Sequence, residues 1–434
     1  MPRSSVTATT DPVTGSPAWP IGTTIGPDGH VVVGGCDLTE IAREFGTPAY
    51  VYATDDVRAR ARAYVDALRG RGVEGEILYA SKAAPFTALY RLMREEGLSV
   101  DVASGGELHM ALIAGFEPDR VYMHGNNKSA AELRMAFDAG IGCVVVDSLE
   151  EIALADRLAD REQDVLIRLT PGVEPSTHSY VRTGQIDSKF GFGIEGGQAE
   201  AAVTAVAASR NLRLAGFHAH LGSQVYELEP YVRAIELMAD FCRPHRPRVM
   251  NVGGGLGIAY CNADSPPSIE AYVELKVDAL RRCFDPLPRI LLEPGRSLVG
   301  NAGVTIYTVG AVKEIPGVRT YVAVDGGMSD NLRPMLYGSR YEALIANRAD
   351  RPATVTSAVA GKHCESGDIL VRDVALADPR PGDLLATPAT GAYGHAMANN
   401  YNGVPRPPIV FCSDGRADLV VRRETVEDLV ARDV

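Results

Sequence analysis

The sequence of 434 residues lacks the features that would assign it to a membrane or to nucleic acid. No apolar run approaches the roughly 18 residues that a membrane helix requires. The formal net charge is −12, and clusters of lysine and arginine, which nucleic acids and anionic membrane surfaces attract, are missing. We therefore expect no nucleic-acid partner and no membrane partner.

Cysteines are few and follow no pairing motif. Seven are scattered at wide intervals, with no CxxC pair and an odd total, which indicates a reducing compartment rather than a disulfide framework. The stretch MPRSSVTATTDPVTGSPAWP also lacks the apolar core of a secretory signal. We expect a cytoplasmic protein with a disordered lead-in over residues 1–20.

What the sequence does contain is a long alternation of short apolar runs with segments of helical periodicity, between about residue 76 and residue 292. Eight candidate strands begin at Glu76, Ser99, Arg120, Cys143, Asp164, Leu214, Arg248 and Arg289. Eight parallel strands with outer helices close into a (β/α)8 TIM barrel. The composition, 46% hydrophobic and 23% charged, is that of a globular protein with a sizeable core.

A change in the periodicity of apolar residues after about residue 300 predicts a second, mostly β domain. Runs such as RTYVAVDGGM show period-two alternation with frequent glycine and proline. The expected bounds are 21–48 for an N-terminal part of the β-domain, 49–305 for the barrel and 306–434 for the C-terminal β-domain. The polar segment Thr170–Gly193 follows the fifth strand, and long loops of this kind are usually functional or disordered.

The run GEILYASKAAP ends a predicted buried strand on Lys82. A lysine is rarely left in a core, because burial penalises its charged form. Barrel enzymes carry their chemistry at the C-terminal ends of the strands. Lys82 therefore either reaches solvent or has a chemical role at this end of the barrel.

Two glycine-bearing loops follow the seventh and eighth predicted strands, where barrels often bind phosphate. They read NVGGGLG, with Gly253, Gly254 and Gly255, and EPGRS, with Gly295 and Arg296. Backbone amides freed by glycine cradle a phosphate, and an arginine adds a bidentate contact. The alternative interpretation is that these glycines only allow tight turns, but the position of the loops in the barrel favours a phosphate site.

A lysine and a phosphate site in one barrel mouth suggest pyridoxal phosphate, whose aldehyde binds a lysine and whose ring nitrogen needs an acidic partner. Glu293 is a plausible partner. The period of two places His218 and His220 on one face; His220 could stack on the cofactor ring, and Ser223 could bind its phosphate. We interpret His218 as structural, and we predict no metal site because the pair lacks an obvious third ligand.

The predicted β-domain holds further candidates. In GKHCESGD, the thiol of Cys364 could donate a proton and Glu365 could hold a cationic group; an ordinary surface loop is the alternative. In DNLRPMLYG, Arg333 and Tyr337 suit a carboxylate, although a solvated turn explains them equally well. Tyr393 in GAYG could reach a phosphate or fill a turn.

Eight motifs, in family order, resemble those of the fold type III pyridoxal-phosphate decarboxylases, and within that family the branch that acts on diaminopimelate. They read YASKA, HSYVRTGQIDSKFGFG, HAHLGSQ, NVGGGLG, EPGR, RPMLYG, HCESGD and GAYG. The resemblance covers roughly residues 25–425. It implies the alanine racemase-like fold of a barrel with a β-domain, pyridoxal 5′-phosphate as cofactor, and a homodimer whose active sites are each completed by the partner chain.

The resemblance also implies roles for individual residues. The catalytic set would be Lys82, which binds the cofactor, Glu293, which faces the pyridine nitrogen, His220, which stacks on the ring, and Cys364, the proton donor. The cofactor shell would comprise Lys82, His220, Ser223, Gly253, Gly254, Gly255, Glu293, Gly295, Arg296 and Tyr393. The substrate would contact Arg296, Arg333, Tyr337, Glu365 and Tyr393.

The activity implied is that of a carboxy-lyase, the decarboxylation of meso-2,6-diaminopimelate to L-lysine and carbon dioxide, the last step of bacterial lysine biosynthesis. The far end of that substrate carries an ammonium and a carboxylate, which Glu365 and Arg333 would match. The alternatives are a related decarboxylase for ornithine, lysine or a carrier-bound amino acid, alanine racemase, which uses a tyrosine base, and a non-catalytic relative, which would be expected to lack Lys82 or Cys364.

Overall fold

The computed structural model describes residues 11–173 and 188–434. Residues 1–10 and residues 174–187, which include most of the predicted long loop, lie outside the described residues. The strands are β1 (Thr24–Ile25), β2 (Val31–Val33), β3 (Cys36–Asp37), β4 (Ala49–Ala53), β5 (Gly75–Ala80), β6 (Ser99–Val102), β7 (Val121–Met123), β8 (Cys143–Val146), β9 (Gln163–Thr170), β10 (Phe192–Gly193), β11 (Leu212–His218), β12 (Val249–Asn251), β13 (Arg289–Leu292), β14 (Gly303–Ile315), β15 (Arg319–Val324), β16 (Leu344–Ile345), β17 (Val355–Ala360), β18 (Ile369–Leu376), β19 (Leu384–Thr387), β20 (Ile409–Ser413) and β21 (Arg416–Val421). The helices are α1 (Leu38–Phe45), α2 (Thr54–Gly70), α3 (Thr87–Glu95), α4 (Gly105–Ile113), α5 (Ala130–Ala139), α6 (Leu149–Leu158), α7 (Gln198–Ala208), α8 (Glu229–Cys242), α9 (Ile269–Cys283), α10 (Arg296–Val299), α11 (Arg333–Tyr337) and α12 (Val426–Val430).

One compact unit, the barrel unit, comprises Arg58–Ile258 and Ser265–Leu298. Its parallel strands pair in the order β9, β11, β12, β13, β5, β6, β7, β8, and β8 pairs with β9 to close the ring. Each of the eight predicted strands is present, so the predicted (β/α)8 barrel is confirmed. Because the strands are parallel, their carboxyl ends, which precede the candidate residues, gather at one rim.

The apolar runs of the barrel strands explain why the ring closes. Leu78, Tyr122, Val145, Leu166 and Leu291 come from five different strands and pack in one buried cluster. Strands that are covered on both faces read as continuous apolar runs. The interior is therefore a packed core, and the site is left to the rim.

Serine side chains start several helices of the barrel unit. Ser104, Ser129, Ser148 and Ser268 each accept a hydrogen bond from a backbone N–H of the first turn. Such caps satisfy amides that have no partner inside the helix. The residues directly after β6 and β8 thus turn the chain away from the rim into the next helix.

The other compact unit, the β unit, comprises residues up to Val57, Ala259–Asp264 and Val299–Val434. Its main sheet runs β18-β17-β15-β14-β4-β20-β21, with β19 paired to β14 and β16 paired to β19. The long strand β14 pairs antiparallel with β4, β15 and β19. This is the predicted, mostly β second domain.

The bounds of the two units differ from the predicted domain bounds. Strand β4, assigned by sequence to the barrel, pairs with β14 and β20 in the β unit. Residues 11–20, assigned to a disordered lead-in, carry Val13 and Trp19, which are buried in the core of the β unit. Burial of these apolar side chains stabilises the folded state. The expectation that residues 11–20 are disordered is therefore wrong.

Among the described residues, no helix combines the length and apolarity needed to cross a membrane.

Candidate active site

The rim of the barrel unit brings together the predicted lysine, acid and histidine. Lys82 follows β5 in the single turn Ser81–Ala83, and its side chain is exposed although Ser81 and Ala83 are buried. Glu293 directly follows β13, and His220 lies two residues beyond β11. Lys82 is therefore accessible at the rim, and this exposure is compatible with a chemical role there.

Glu293 is buried, and nitrogen atoms of three side chains lie close to its carboxylate. His124 Nε2 lies 2.9 Å from its Oε1, His218 Nε2 bonds its Oε2 at 3.1 Å, and Asn251 Nδ2 donates to Oε1 at 2.6 Å. Burial alone would raise the pKa of Glu293, but His124 and His218 hold it well below its usual range. The carboxylate is therefore kept ionised inside the barrel.

His218 is buried against Glu293, in keeping with its interpretation as a structural histidine. Burial lowers its pKa to about 4, so the ring that faces Glu293 is neutral at pH 7. The ligand atoms of His124, His218 and Glu293 lie within 4.8 Å of one another. His218 therefore does have two neighbours of residue types that can bind a metal. The interactions with Glu293 account for this arrangement.

A second buried carboxyl, Asp101 at β6, lies in the same electrostatic environment. Its pKa is raised to about 7, first by burial and then by the negative charge of Glu293, while His124 and Lys82 oppose the rise. Two buried carboxyls with opposite shifts are typical of sites that handle protons. Asp101, His124 and Asn251 were not among the residues predicted from the sequence.

The predicted stacking histidine contacts the glycine loop. The amide of Gly254 lies 3.3 Å from His220 Nδ1, which leaves Nε2 to carry the ring proton. Desolvation, followed by the positive charge of Lys82, lowers the pKa of His220 well below its usual value. The structure therefore presents a neutral imidazole beside the glycine loop.

Glycine is required in this loop by the space available. Gly253 and Gly255 have φ of +60° and +112°, values that disfavour other residues. A Cβ at Gly254 would overlap the carbonyl oxygen of Glu293, and one at Gly255 would lie 2.5 Å from the carbonyl oxygen of Gly222. The loop therefore carries no side chains of its own that would keep a ligand away from its backbone, as a phosphate site needs, although Gly253 and Gly254 are themselves buried.

The two predicted phosphate-binding side chains meet. Arg296, at the start of α10, is buried and donates from Nη2 to Ser223 Oγ at 2.8 Å. Gly295 lies beneath it, and a Cβ there would come within 2.9 Å of Ala80 Cβ. Together with the glycine loop, a hydroxyl, a guanidinium and uncovered backbone suit the phosphate of pyridoxal phosphate.

In the β unit, Arg333 opens α11 and is buried among tyrosines. Its Nη1 donates to Tyr341 Oη at 2.8 Å, and its guanidinium carbon lies 4.7 Å from the Tyr260 ring centroid and 5.9 Å from that of Tyr337. Within residues 11–173 and 188–434 no carboxylate forms an ion pair with it, and its buried Nε has no hydrogen-bond partner. The half-buried Tyr393 adopts φ of +60° in the same unit.

Cys364 differs from the other cysteines because its side chain is exposed. Its amide donates to Asn402 Oδ1 at 3.0 Å, and the neighbouring Glu365 is exposed as well. The buried Asp368 anchors this loop by accepting the amides of His363 and Met328. A rigid base therefore presents a thiol and a carboxylate at the surface of the β unit.

Comparison with known proteins identifies the family. The family model described as "Pyridoxal-dependent decarboxylase, pyridoxal binding domain" matches residues 54–300. The chain belongs to this family. The predicted decarboxylase class and the pyridoxal-phosphate cofactor are thereby confirmed.

Individual relatives are similar over nearly their whole length. A diaminopimelate decarboxylase of Bacillus subtilis is 49% identical over 94% of this chain and 95% of its own length. One of Actinosynnema pretiosum is 47% identical, covering 99% of this chain and 98% of its own.

Solved structures agree. The diaminopimelate decarboxylase of M. jannaschii in complex with L-lysine superposes with a TM-score of 0.90 at 33% identity, over 95% of this chain and 97% of that one. The Helicobacter pylori enzyme with L-lysine reaches a TM-score of 0.84 at 30% identity, over 91% and 98%. The predicted fold class, with its alanine racemase-like pair of domains, is confirmed.

Proposed function

We propose that this chain decarboxylates meso-2,6-diaminopimelate to L-lysine and carbon dioxide, the last step of bacterial lysine biosynthesis. The single observation that carries the choice of substrate is Arg333, a buried guanidinium packed among tyrosines with an unpartnered Nε. A buried cation without a counter-charge is costly, and the distal carboxylate of diaminopimelate would supply one. Ornithine and lysine have no carboxylate at that end.

The barrel unit supplies the proposed cofactor site. Lys82 would hold the cofactor aldehyde covalently, the ring of His220 would stack on it, and Ser223 with Arg296 and the glycine loop would bind its phosphate. When bound, pyridoxal phosphate disperses the negative charge that remains on the α-carbon as carbon dioxide leaves.

Glu293 would keep a proton on the ring nitrogen. Its carboxylate is ionised because His124 and His218 lower its pKa, and an anion at this place stabilises a protonated ring nitrogen. Asn251 fixes the orientation of the carboxylate by donating to Oε1. These three neighbours are positioning residues for the proton.

Five residues of the β unit would serve the substrate and the last step. The exposed thiol of Cys364 would donate the proton that replaces the lost carboxylate on the α-carbon. Glu365, beside it, would bind the distal ammonium of the substrate, and Arg333 its distal carboxylate, with Tyr337 and Tyr393 completing that environment.

We further propose a homodimer in which each active site takes Cys364 of the partner subunit. The test mixes two inactive variants, Lys82→Ala and Cys364→Ala, after mild dissociation. Hybrid dimers would carry one site with both intact residues, so about a quarter of the wild-type activity should return at equal mixing. No recovery, with hybrids verified by mass spectrometry, would contradict the shared site. Location in the cytoplasm stays a prediction.

The substrate assignment is tested by carbon dioxide release from the purified chain with pyridoxal phosphate. Meso-diaminopimelate is compared with L-lysine, L-ornithine and L-arginine while the visible spectrum of the bound cofactor is recorded. We expect release from diaminopimelate alone. Bound cofactor without release from any of the four would contradict the substrate and direct the search to carrier-bound amino acids.

A further inference from the structure

Lys276 on α9 is a fully buried lysine of the barrel unit, and the mechanism above gives it no role. It is 0% exposed. Its Nζ donates to the carbonyl oxygens of Val252 at 2.7 Å and Gly253 at 3.1 Å, and lies 2.5 Å from Tyr272 Oη. All three partners are neutral groups, so its purpose is not that of an ordinary ion pair.

Two tyrosines enclose the amine. Nζ lies 4.5 Å from the ring centroid of Tyr231 and 4.3 Å from that of Tyr272. Burial lowers the pKa of Lys276 well below the ordinary range of lysine. Either protonation state still has the two N–H donors that the carbonyls need, so the contacts do not depend on its charge.

The two carbonyls belong to the start of the glycine loop. In a planar trans peptide the C=O of one residue and the N–H of the next point in opposite directions. Bonds from Lys276 to Val252 and Gly253 therefore aim the amides of Gly253 and Gly254 away from α9. Those amides donate to Asn251 Oδ1 at 3.0 Å and to His220 Nδ1 at 3.3 Å, side chains that lie at or just beyond the ends of barrel strands and not on α9.

The loop cannot set these directions by itself. Three consecutive glycines have the largest backbone freedom of any tripeptide, and a bound phosphate would have to order them at an entropic cost. The tyrosines also limit the space behind the loop, since a Cβ at Gly255 would lie 2.7 Å from Tyr231 Oη. Lys276 is the side chain that bonds two consecutive peptide groups of this loop.

We propose that Lys276 is a positioning residue for phosphate recognition. It holds the peptide planes of residues 252–254 so that the glycine loop is ordered before the phosphate of pyridoxal phosphate arrives, and it does so from behind the loop, without touching the cofactor. This inference rests on the proposed phosphate role of the glycine loop.

The test compares pyridoxal phosphate with pyridoxal, which lacks the phosphate, as ligands of the full-length apo chain. Binding is followed by the visible absorbance of the bound aldehyde. In Lys276→Met, a side chain of similar length that also packs well against aromatic rings, we expect about tenfold weaker binding of pyridoxal phosphate. Binding of pyridoxal should stay within about twofold of wild type, because that ligand makes no use of the loop.

Lys128→Met is the matched control. Lys128 is also a buried lysine of the barrel unit, and its Nζ bonds the carbonyl oxygens of Gly125 and Val145 and the carboxylate of Glu151. This variant should lower the free energy of unfolding while leaving the ratio of the two affinities unchanged. Should Lys276→Met not fold, Lys276→Gln, which retains a donor for one carbonyl, should show a smaller loss with the same selectivity.

The outcomes separate the two levels of the proposal. If wild type prefers pyridoxal phosphate and Lys276→Met keeps the full preference, Lys276 has no positioning role. If both ligands weaken equally in Lys276→Met, its role is general support of the barrel and the inference is wrong. If wild type itself shows no preference for the phosphate, the assignment of the glycine loop under the proposed function fails first.

Discussion

Glu293 in the barrel unit and Arg333 in the β unit are both charged and both 5% exposed, yet their surroundings differ in kind. Glu293 has hydrogen bonds with His218 and Asn251, and His124 Nε2 lies 2.9 Å from its Oε1. Arg333 has one hydroxyl and the faces of tyrosine rings. One buried charge is satisfied by the protein, and the other is left open.

The different surroundings of Glu293 and Arg333 indicate different functions for the two charges. A buried ion with its donors in place has a fixed protonation state and orientation, which suits a partner for a resident cofactor. A buried ion that lacks a counter-charge is tolerated where a bound ligand supplies one. This arrangement suits a site that binds and releases its ligand in every turnover. Under the proposed function, Glu293 would be the cofactor contact and Arg333 the substrate contact.

The largest effect should come from removing the satisfied charge. Glu293→Gln keeps the shape but cannot hold a proton on the ring nitrogen, and losing one preorganised electrostatic contact lowers kcat by about 10²–10³-fold. Steady-state decarboxylation of diaminopimelate measures this, with the cofactor spectrum as proof of loading. Glu117→Gln, at an exposed glutamate of the same unit, should be neutral. A loaded Glu293→Gln enzyme with wild-type kcat would remove the assignment.

Removing the open charge should act on substrate binding instead. Arg333→Met deletes the proposed partner of the distal carboxylate, and truncating one member of a buried charge pair lowers kcat/KM by about a hundredfold, mostly through KM. Binding of the cofactor should not change. Arg351→Met, at an exposed arginine of the β unit, is the control. Equal losses of kcat and cofactor affinity would show that Arg333 supports the fold rather than the substrate.

A separate effect, on the free energy of unfolding, is expected at one buried carboxyl in each unit. Burial raises the pKa of Asp101 in the barrel unit and of Asp330 in the β unit to about 7. The unfolded chain ionises these groups near pH 4, so between pH 4 and pH 7 the folded state binds more protons and stability falls as the pH rises. Asp101→Asn should therefore gain on wild type across this window, by about 4 kcal/mol at pH 8.

The neighbouring charge makes the comparison sharper. Glu293 contributes to the raised pKa of Asp101, whereas Tyr307 and the amide of Gly327 oppose the rise at Asp330. Glu293→Gln should shift to lower pH the range over which ionisation of Asp101 destabilises the folded state. The corresponding range for Asp330 should not move. Thermal unfolding between pH 4 and pH 8 measures both, and a gain for Asp101→Asn that is constant over this range would contradict the raised pKa.

The smallest expected change concerns the one hydroxyl that Arg333 does bond. Tyr341→Phe removes the acceptor of the 2.8 Å hydrogen bond, which contributes on the order of 1 kcal/mol, so KM for diaminopimelate should rise about threefold to fivefold at constant kcat. Tyr260→Phe keeps the ring under the guanidinium and should stay within about twofold of wild type. A larger loss in Tyr260→Phe than in Tyr341→Phe would reverse this ranking.

Local pattern in the sequence was enough to predict the barrel and the residues at its rim. The alternation of apolar runs and helical segments fixes the number of strands, and parallel strands must end at a common rim, so Lys82, His220 and Glu293 followed from their places after β5, β11 and β13. Motifs that resemble a family then assigned the roles. These signals act over a few residues, and they are legible along the chain.

Only the tertiary structure decided what surrounds these residues. Asn251 and Glu293 are 42 residues apart in the chain, and Lys276 reaches the glycine loop from the next helix, because strands and helices from distant parts of the chain close around one axis. It also assigned β4 and Trp19 to the β unit. The sequence by itself determined which groups are available at the rim. Long-range packing decided which charges find partners and which stay open, since burial and hydrogen bonding depend on neighbours that no local pattern names.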